Sequence, residues 1–276
     1  LTGAADYPSI WMQRPRQGMN LHWDGNNASV EERNLSASLG AGVTPATIDM
    51  ASLERVRDWL WDFPAPAFPA DSVAQARIDP GEAARGAALY ADYCATCHGA
   101  PAADGRGYDY DRARFSRLGE VEALADIGTD PGRWRSYTQA FAGDQNLLFA
   151  GYPKAGDDCE TRLCSERFRR FRKTDGYANH PLDGIWARSP YLHNGSVPTL
   201  RALLEPADKR PATFYRGDDV FDWDAVGYVS DVPERDGRRF FLFDTRLPGN
   251  ANSGHEGPAY GTALPAADKD AIVEYM

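Results

Sequence analysis

The stretch Cys94-Ala95-Thr96-Cys97-His98 has the form C-x-x-C-H, in which a histidine directly follows the second of two cysteines. This spacing is the attachment pattern of a c-type haem. Two thiols two residues apart can reach both vinyl groups on one porphyrin edge from a single short turn, and the histidine that follows then binds the iron as its proximal ligand. The stretch therefore predicts one covalent haem c, held by Cys94, Cys97 and His98.

Two other chemistries use a C-x-x-C pair. A zinc site needs two more ligands, and the remaining cysteines, Cys159 and Cys164, are distant and spaced as C-x4-C. A dithiol redox pair is typical of a βαβ neighbourhood, which this sequence does not show. Haem is the favoured interpretation over both.

Composition narrows the class of protein. With 276 residues and 42 % hydrophobic side chains, the chain can form one large domain or two smaller ones. Its 40 Asp and Glu against 30 Lys and Arg give a net charge of −10, which argues against nucleic acid as a partner. No apolar run approaches the roughly 20 residues of a transmembrane helix.

Haem c is attached outside the cytoplasmic membrane, where disulfides persist, so we expect a periplasmic or secreted protein. In that setting Cys159 and Cys164, in a polar stretch, are expected to form a local disulfide, with two free thiols as the alternative. The given sequence, which opens at Leu1, shows no signal-peptide pattern, and it ends at Met276 inside a helical pattern. We therefore expect a segment of a longer protein.

Helical periodicity appears in three places. Apolar residues from Met50 to Phe63 recur at helical spacing, and a proline-rich stretch follows. A second helix is predicted from Pro80 to Tyr93, and a last one from near Pro265. In c-type cytochromes the first and last helices cross, so we expect two residues of the second helix, Gly86 and Tyr90, to pack against two of the last, Ile272 and Tyr275.

These patterns predict a division into a partial linking domain, residues 1–75, and a cytochrome c domain with one haem, residues 76–276. The roughly 170 residues between the predicted first and last helices of that domain are rich in Gly, Pro, Asp and Arg, and long loops of this kind can wrap a haem. We expect irregular structure there, with short helices and a small hairpin. The predicted fold class is mainly α, a cytochrome c-like helical domain with long irregular loops.

The second axial ligand must come from elsewhere. Met276 is the only methionine after the motif and is the last residue, which argues against methionine ligation. The downstream histidines are His180, His193 and His255. His180 has the sequence of a loop histidine, His193 lies in a turn-rich segment, and His255 is flanked by glycines that give its loop freedom. Spacing does not choose between His193 and His255.

Several stretches together resemble the rubber-oxygenase-like (RoxA-like) c-type cytochromes, distant relatives of the dihaem cytochrome c peroxidase and MauG group. The similarity extends over nearly the whole chain. It rests on residues 21–27 (Leu-His-Trp-Asp-Gly-Asn-Asn), 32–34, 40–42, 85–99, 127–130 with Arg133, 184–196 (Gly-Ile-Trp-Ala-Arg-Ser-Pro-Tyr-Leu-His-Asn-Gly-Ser) and 249–261.

The resemblance carries expectations about the ligands. Family members have two c-haems, of which the C-terminal one is six-coordinate with two histidines, and this chain resembles the C-terminal part. The resemblance implies His98 as proximal and His255 as distal ligand. In related peroxidases a methionine often precedes the histidine of the Pro-Tyr-x-His-Asn-Gly segment, whereas here that position is Leu192.

The resemblance also implies roles for residues around the haem. The segment 184–200, with His193, would wall the pocket and place Arg188 or Tyr191 near the haem propionates; a surface salt bridge is the alternative for Arg188. Trp23 resembles a tryptophan that relays electrons between the two haems, against the alternative of a core tryptophan. The turn 24–27 could be a calcium loop, although a plain Asp-Gly turn is favoured.

One departure limits what the resemblance implies, because the sequence holds a single C-x-x-C-H. The expected function is electron transfer through one bis-histidine haem, with a redox partner protein or a second haem domain as partner. The alternative is the C-terminal part of a dihaem peroxidase- or oxygenase-type enzyme whose catalytic haem lies upstream or is missing. Whether the protein is an enzyme stays open at this stage.

Overall fold

The computed structural model describes residues 4–44, 46–69, 78–103, 107–148 and 167–276. The predicted Cys159–Cys164 disulfide lies outside them. Besides several single 3-10 turns, the described part has the α-helices α1 (Val30–Gly40), α2 (Met50–Trp61), α3 (Pro80–Tyr93), α4 (Ala95–His98), α5 (Leu124–Ile127), α6 (Gly132–Ser136), α7 (Gln139–Gln145), α8 (Leu200–Leu203) and α9 (Ala266–Tyr275).

The strands of the described part are short and pair antiparallel in twos: β1 (Ala100–Pro101) with β2 (Tyr108–Asp109), β3 (Val121–Ala123) with β4 (Gly176–Ala178), β5 (Thr213–Arg216) with β10 (Phe241–Asp244), β6 (Phe221–Asp222) with β7 (Gly227–Tyr228), and β8 (Glu234–Arg235) with β9 (Arg238–Arg239). The β5–β10 pair sets Phe214 opposite Phe243, and their rings stack with centroids 5.1 Å apart.

The expectation of a mainly α fold is wrong. Of the described residues, 34 % are helical and 13 % lie in strands or bridges. Between α4 and α9 the chain turns often at residues with positive φ; Gly128 and Gly261, for example, each end a helical segment after about one turn. Several segments between α4 and α9 pair with each other in short two-stranded sheets. This pairing provides hydrogen-bond partners for their backbone N–H and C=O groups.

The crossing of α3 and α9 fixes the frame of the site. Asp79 caps α3 by accepting hydrogen bonds from the first turn, and Pro80 occupies the first helical position. The helices touch at Gly86, where a Cβ atom would lie 1.8 Å from the Ala271 carbonyl oxygen. The rings of Tyr90 and Tyr275 are 5.3 Å apart. The predicted packing of Gly86 and Tyr90 against Tyr275 is confirmed, while Ile272 is buried in the neighbouring cluster.

Two apolar clusters flank this crossing. One joins Ile185, Tyr191, Val197, Leu200 and Ile272. The other brings residues of the N-terminal segment together with α3 and the turn after it, through Met19, Leu21, Tyr90, Phe115 and Leu118. The N-terminal segment therefore packs directly against the part of the chain that carries C-x-x-C-H.

A buried ion pair adds a further long-range contact of the N-terminal segment. Arg16 donates to Asp183, and both side chains are 3 % exposed. Every helix in the described ranges is too short or too polar to cross a bilayer.

Candidate haem site

The C-x-x-C-H stretch forms a single helical turn directly after α3. The backbone N–H of Cys94 still bonds to Tyr90, and α4 then ends at Gly99, which has a φ of +76°. A Cβ atom at Gly99 would lie 2.8 Å from the Asp109 carbonyl oxygen, so only glycine allows this exit. The turn places Cys94, Cys97 and His98 on one wall of a cavity.

Neither motif cysteine forms a disulfide within the described residues, so both sulfurs are available for thioether bonds. Burial raises the pKa of Cys94 to about 12 and also raises the pKa of Cys97. The cavity they line is otherwise largely apolar, as a porphyrin face requires. Its apolar walls are Ile127, Leu182, Ile185, Leu192, Leu200, Leu203, Leu204 and Met276.

The imidazole of His255 faces that of His98 across this cavity. The two ring centroids are 6.1 Å apart, with their planes inclined by 44°. A metal–imidazole nitrogen bond is about 2 Å long and each nitrogen lies about 1 Å from its ring centre, so two imidazoles on one metal ion have centroids about 6 Å apart. The residues present therefore fit a haem iron held between these two histidines.

Long-range contacts hold the loop that carries His255. The backbone N–H of His255 donates to the Ile127 carbonyl at 2.7 Å, and Gly254 has a φ of +79°. A Cβ atom at Gly254 would lie 2.2 Å from the Thr129 nitrogen, so this approach excludes every side chain. The buried Arg210 guanidinium donates to the carbonyls of Gly254 and His255, at 2.9 and 3.3 Å.

His255 is neutral in this environment. Burial, with a smaller contribution from the neighbouring His98, lowers the pKa of His255 to about 3. Its Nδ1 atom is buried without a hydrogen-bond partner in the described part of the chain. A neutral imidazole is the form that binds a metal.

On the other side, His98 is fixed through both its ring and its backbone. Its Nδ1–H donates to the His180 carbonyl at 2.7 Å. The Tyr108 hydroxyl donates to the His98 carbonyl at 2.7 Å and accepts from the Leu182 N–H at 3.2 Å. An outer hydrogen bond of this kind sets the orientation and basicity of a ligating imidazole.

His180, expected only as a loop histidine, has a second role that sequence reasoning missed. Its Nε2–H donates to the His22 carbonyl at 2.8 Å, so its ring is anchored while its backbone holds His98. Burial lowers the pKa of His180 to about 3. Arg210 was missed as well, because a guanidinium that holds backbone carbonyls leaves no motif in the sequence.

His193 and Tyr191 also line the cavity, but both have protein partners. His193 is 4 % exposed, stacks on Tyr177 with centroids 4.3 Å apart, and has its Nε2 atom 3.2 Å from the Tyr177 hydroxyl. Burial lowers its pKa to about 4. The Tyr191 hydroxyl contacts the carbonyls of Ile185 and Val226.

Arg188 and Trp23 meet at another part of the cavity wall. The Arg188 guanidinium lies 5.8 Å from the centre of the Trp23 ring and has no hydrogen bond or ion pair with any residue that the structure describes. Burial lowers the pKa of Arg188 to about 10. The Trp23 ring is edge-on to that of His180, with centroids 5.7 Å apart, and its Nε1–H donates to the Asp6 carbonyl.

The turn 24–27 behaves as a structural turn. The Asp24 carboxylate is fully buried and accepts a hydrogen bond from Arg133 at 3.0 Å, while Gly25 has a φ of +65°. Across the described ranges, no group of three or more His, Cys, Asp or Glu side chains is arranged to hold a metal ion.

Comparison with known proteins agrees with this site. Residues 176–215 match the family model described as RoxA-like, cytochrome c-like, and residues 81–143 match the model described as cytochrome C oxidase, cbb3-type, subunit III. These matches and the C-x-x-C-H cavity indicate a cytochrome c-like domain, the class of protein that binds haem c covalently. The match over residues 176–215 supports the resemblance of this chain to the RoxA-like c-type cytochromes.

Two relatives are similar over much of the chain. Uncharacterized protein y4iM of Sinorhizobium fredii (strain NBRC 101917 / NGR234) is 33 % identical over 98 % of this chain and 63 % of its own length. Uncharacterized protein y4iJ of the same strain is 34 % identical over 72 % of this chain and 39 % of its own length. The chain therefore covers less than two thirds of either relative.

Proposed function

We propose that this chain transfers electrons through one haem c whose iron is bound by His98 and His255. The observation that carries the proposal is the 6.1 Å separation of the two imidazoles beside the paired thiols of Cys94 and Cys97. When bound, the haem supplies a one-electron ferric–ferrous couple, and two histidine ligands favour a lower potential than histidine with methionine.

The protein's contribution is to hold both ligands still. His98 is fixed by Tyr108 and the His180 carbonyl, and the loop of His255 is tied to Ile127 and Arg210. A site whose ligands do not move between oxidation states favours electron transfer over chemistry at an open coordination position. The largely apolar walls of the cavity suit the apolar faces of a porphyrin.

Arg188 is the residue we propose for a haem propionate. Its guanidinium is largely buried in the cavity wall and makes no hydrogen bond or close ion pair in the described part of the chain, although the Asp183 and Asp6 carboxylates act on it at longer range. A buried charge without a close partner is costly. A propionate would supply the missing anion through a charge-assisted hydrogen bond. Tyr191 is the weaker candidate, because its hydroxyl already contacts two carbonyls.

Trp23 contacts both Arg188 and His180 in the cavity wall. We therefore propose that Trp23 carries electrons between the haem and a redox partner protein or a second haem domain. We also propose that the protein is periplasmic or secreted. We further propose that the chain divides into a partial linking domain, residues 1–75, and a cytochrome c domain, residues 76–276.

The ligand assignment is tested by the optical spectra of the matured protein. We expect a low-spin ferric wild type that does not bind carbon monoxide when reduced. His255→Ala should become high spin and bind carbon monoxide, because it removes one imidazole. His193→Ala is the matched control, since it removes another buried histidine of the same cavity and should stay low spin.

The opposite pattern, with His193→Ala high spin and His255→Ala low spin, would reverse the assignment. The same samples separate electron transfer from enzyme chemistry. Wild-type protein that leaves added peroxide unreacted supports electron transfer. Rapid consumption of peroxide by the wild type would favour the peroxidase-type alternative.

A further inference from the structure

We propose that His180 is a positioning residue that lowers the reduction potential of the haem by holding the acceptor of the His98 hydrogen bond. The inference rests on the proposed ligation by His98 and His255 and extends it to the residue that orients the His98 imidazole. Its basis is a relay of two hydrogen bonds, from the His98 ring to the His180 carbonyl and from the His180 ring to the His22 carbonyl.

The relay is continuous and short. His98 Nδ1 lies 2.7 Å from the His180 oxygen, and His180 Nε2 lies 2.8 Å from the His22 oxygen. The hydrogen bond of the His180 imidazole therefore helps to fix the position of the backbone carbonyl of His180, which accepts from His98. Pro181 follows His180, so the peptide that carries the acceptor oxygen has no N–H of its own to hold it in place.

The far end of the relay is itself immobilised. The turn that contains His22 is closed by the Leu21 N–H, which donates to the Asn27 carbonyl at 2.7 Å. The neighbouring Trp23 carbonyl accepts from the Ala178 N–H at 2.8 Å, and the Trp23 ring packs edge-on against the ring of His180. The N-terminal turn thus serves as the fixed point from which the proximal ligand is oriented.

The consequence for the haem follows from ligand basicity. A strong acceptor on Nδ1–H draws the proton away and makes the imidazole a better electron donor to the metal. A better donor stabilises ferric over ferrous iron and so lowers the potential. If the anchor of the His180 carbonyl is lost, the hydrogen bond weakens and the potential rises.

The test compares two substitutions at one position. His180→Gln keeps an N–H donor at a similar reach, whereas His180→Leu keeps the bulk and removes the donor. We expect His180→Leu to shift the ferrous–ferric preference about tenfold towards ferrous, which is 59 mV for one electron. His180→Gln should recover most of that shift. The electron paramagnetic resonance g values, which report ring orientation, should move in the same order.

A control separates the relay from general loosening of the segment 180–183. Tyr110→Phe removes a hydrogen bond to Asp183 in that segment without touching the relay, so its potential should match the wild type. An unchanged potential and unchanged g values in His180→Leu would overturn the inference. An equal shift in Tyr110→Phe would overturn it as well.

A measurement on the wild type stands even if His180→Leu does not mature. In the reduced protein, the ring N–H protons of His98 and His180 should exchange slowly with deuterated solvent, since both are engaged and buried. Exchange of the His180 proton at the solvent rate would contradict the relay. A high-spin wild type would instead refute the proposed ligation, so the two failures are distinguishable.

Discussion

The two sides of the haem cavity are built in different ways. On the proximal side, His98 follows its cysteines within one helical turn, and α3 positions that turn against α9. On the distal side, His255 lies in a loop that bends at Gly249, Gly254 and Gly257, each with a positive φ. The proximal ligand is thus specified by local sequence, whereas the distal one is placed by contacts with distant segments.

The two ligands should therefore be sensitive to different substitutions. Changes near His98 should affect attachment and the helix crossing, while changes near His255 should affect the spin state and leave attachment intact.

The largest effect is expected at the thiols. The double variant Cys94→Ser with Cys97→Ser should lose covalent haem completely, because no sulfur remains to form a thioether. The intact mass of the acid-denatured protein measures this as the absence of a tetrapyrrole mass gain. Thr96→Ser, an exposed change inside the same turn, should keep the haem. Retention of covalent haem in the double variant would refute the attachment site.

The distal loop should be most sensitive at Gly254. Gly254→Ala should destabilise the holoprotein by about 3 kcal/mol, because it combines a left-handed backbone with a clash against Thr129. Gly237→Ala is the matched control, with a φ of +77° and nothing within 4 Å, and should cost about 1 kcal/mol. Denaturant unfolding measures both. Equal losses would show that the packing of this loop does not matter.

The proximal side has its own stability test at Tyr108. Tyr108→Phe should cost about 2 kcal/mol, since it leaves the carbonyl of His98 without its hydroxyl donor and removes the acceptor of the Leu182 N–H. Chemical denaturation at neutral pH measures the loss, and the spectrum should remain low spin. A shift to high spin in this variant would show that the two sides are less independent than we propose.

Local sequence predicted α3 and placed the C-x-x-C-H motif directly after it. The contact of Gly86 with α9 was expected from the helix crossing of c-type cytochromes and not from local spacing. The fold class was wrong because pairs such as β5 with β10 form between segments that carry no local hairpin signal. Spacing did not decide between His193 and His255 as the second axial ligand. The resemblance, and not the spacing, implied His255.

The smallest effect concerns His193, a buried histidine outside the proposed ligand set. Its pKa is about 4 in the folded protein, against about 6.5 when unfolded. The unfolded chain therefore binds this proton first as the pH falls, and stability present above pH 6.5 is lost towards pH 4, by about 1 kcal/mol per pH unit near pH 5. Unfolding of His193→Gln across this range should show a slope flatter by that amount. An unchanged slope would mean that His193 is not buried as a neutral ring.

The most direct test of the central claim is the near-infrared magnetic circular dichroism of the ferric, matured wild-type protein, because its charge-transfer band identifies the axial pair. We expect the band of a low-spin haem with two imidazole ligands, His98 and His255. A band typical of imidazole with methionine, or a high-spin spectrum, would contradict it.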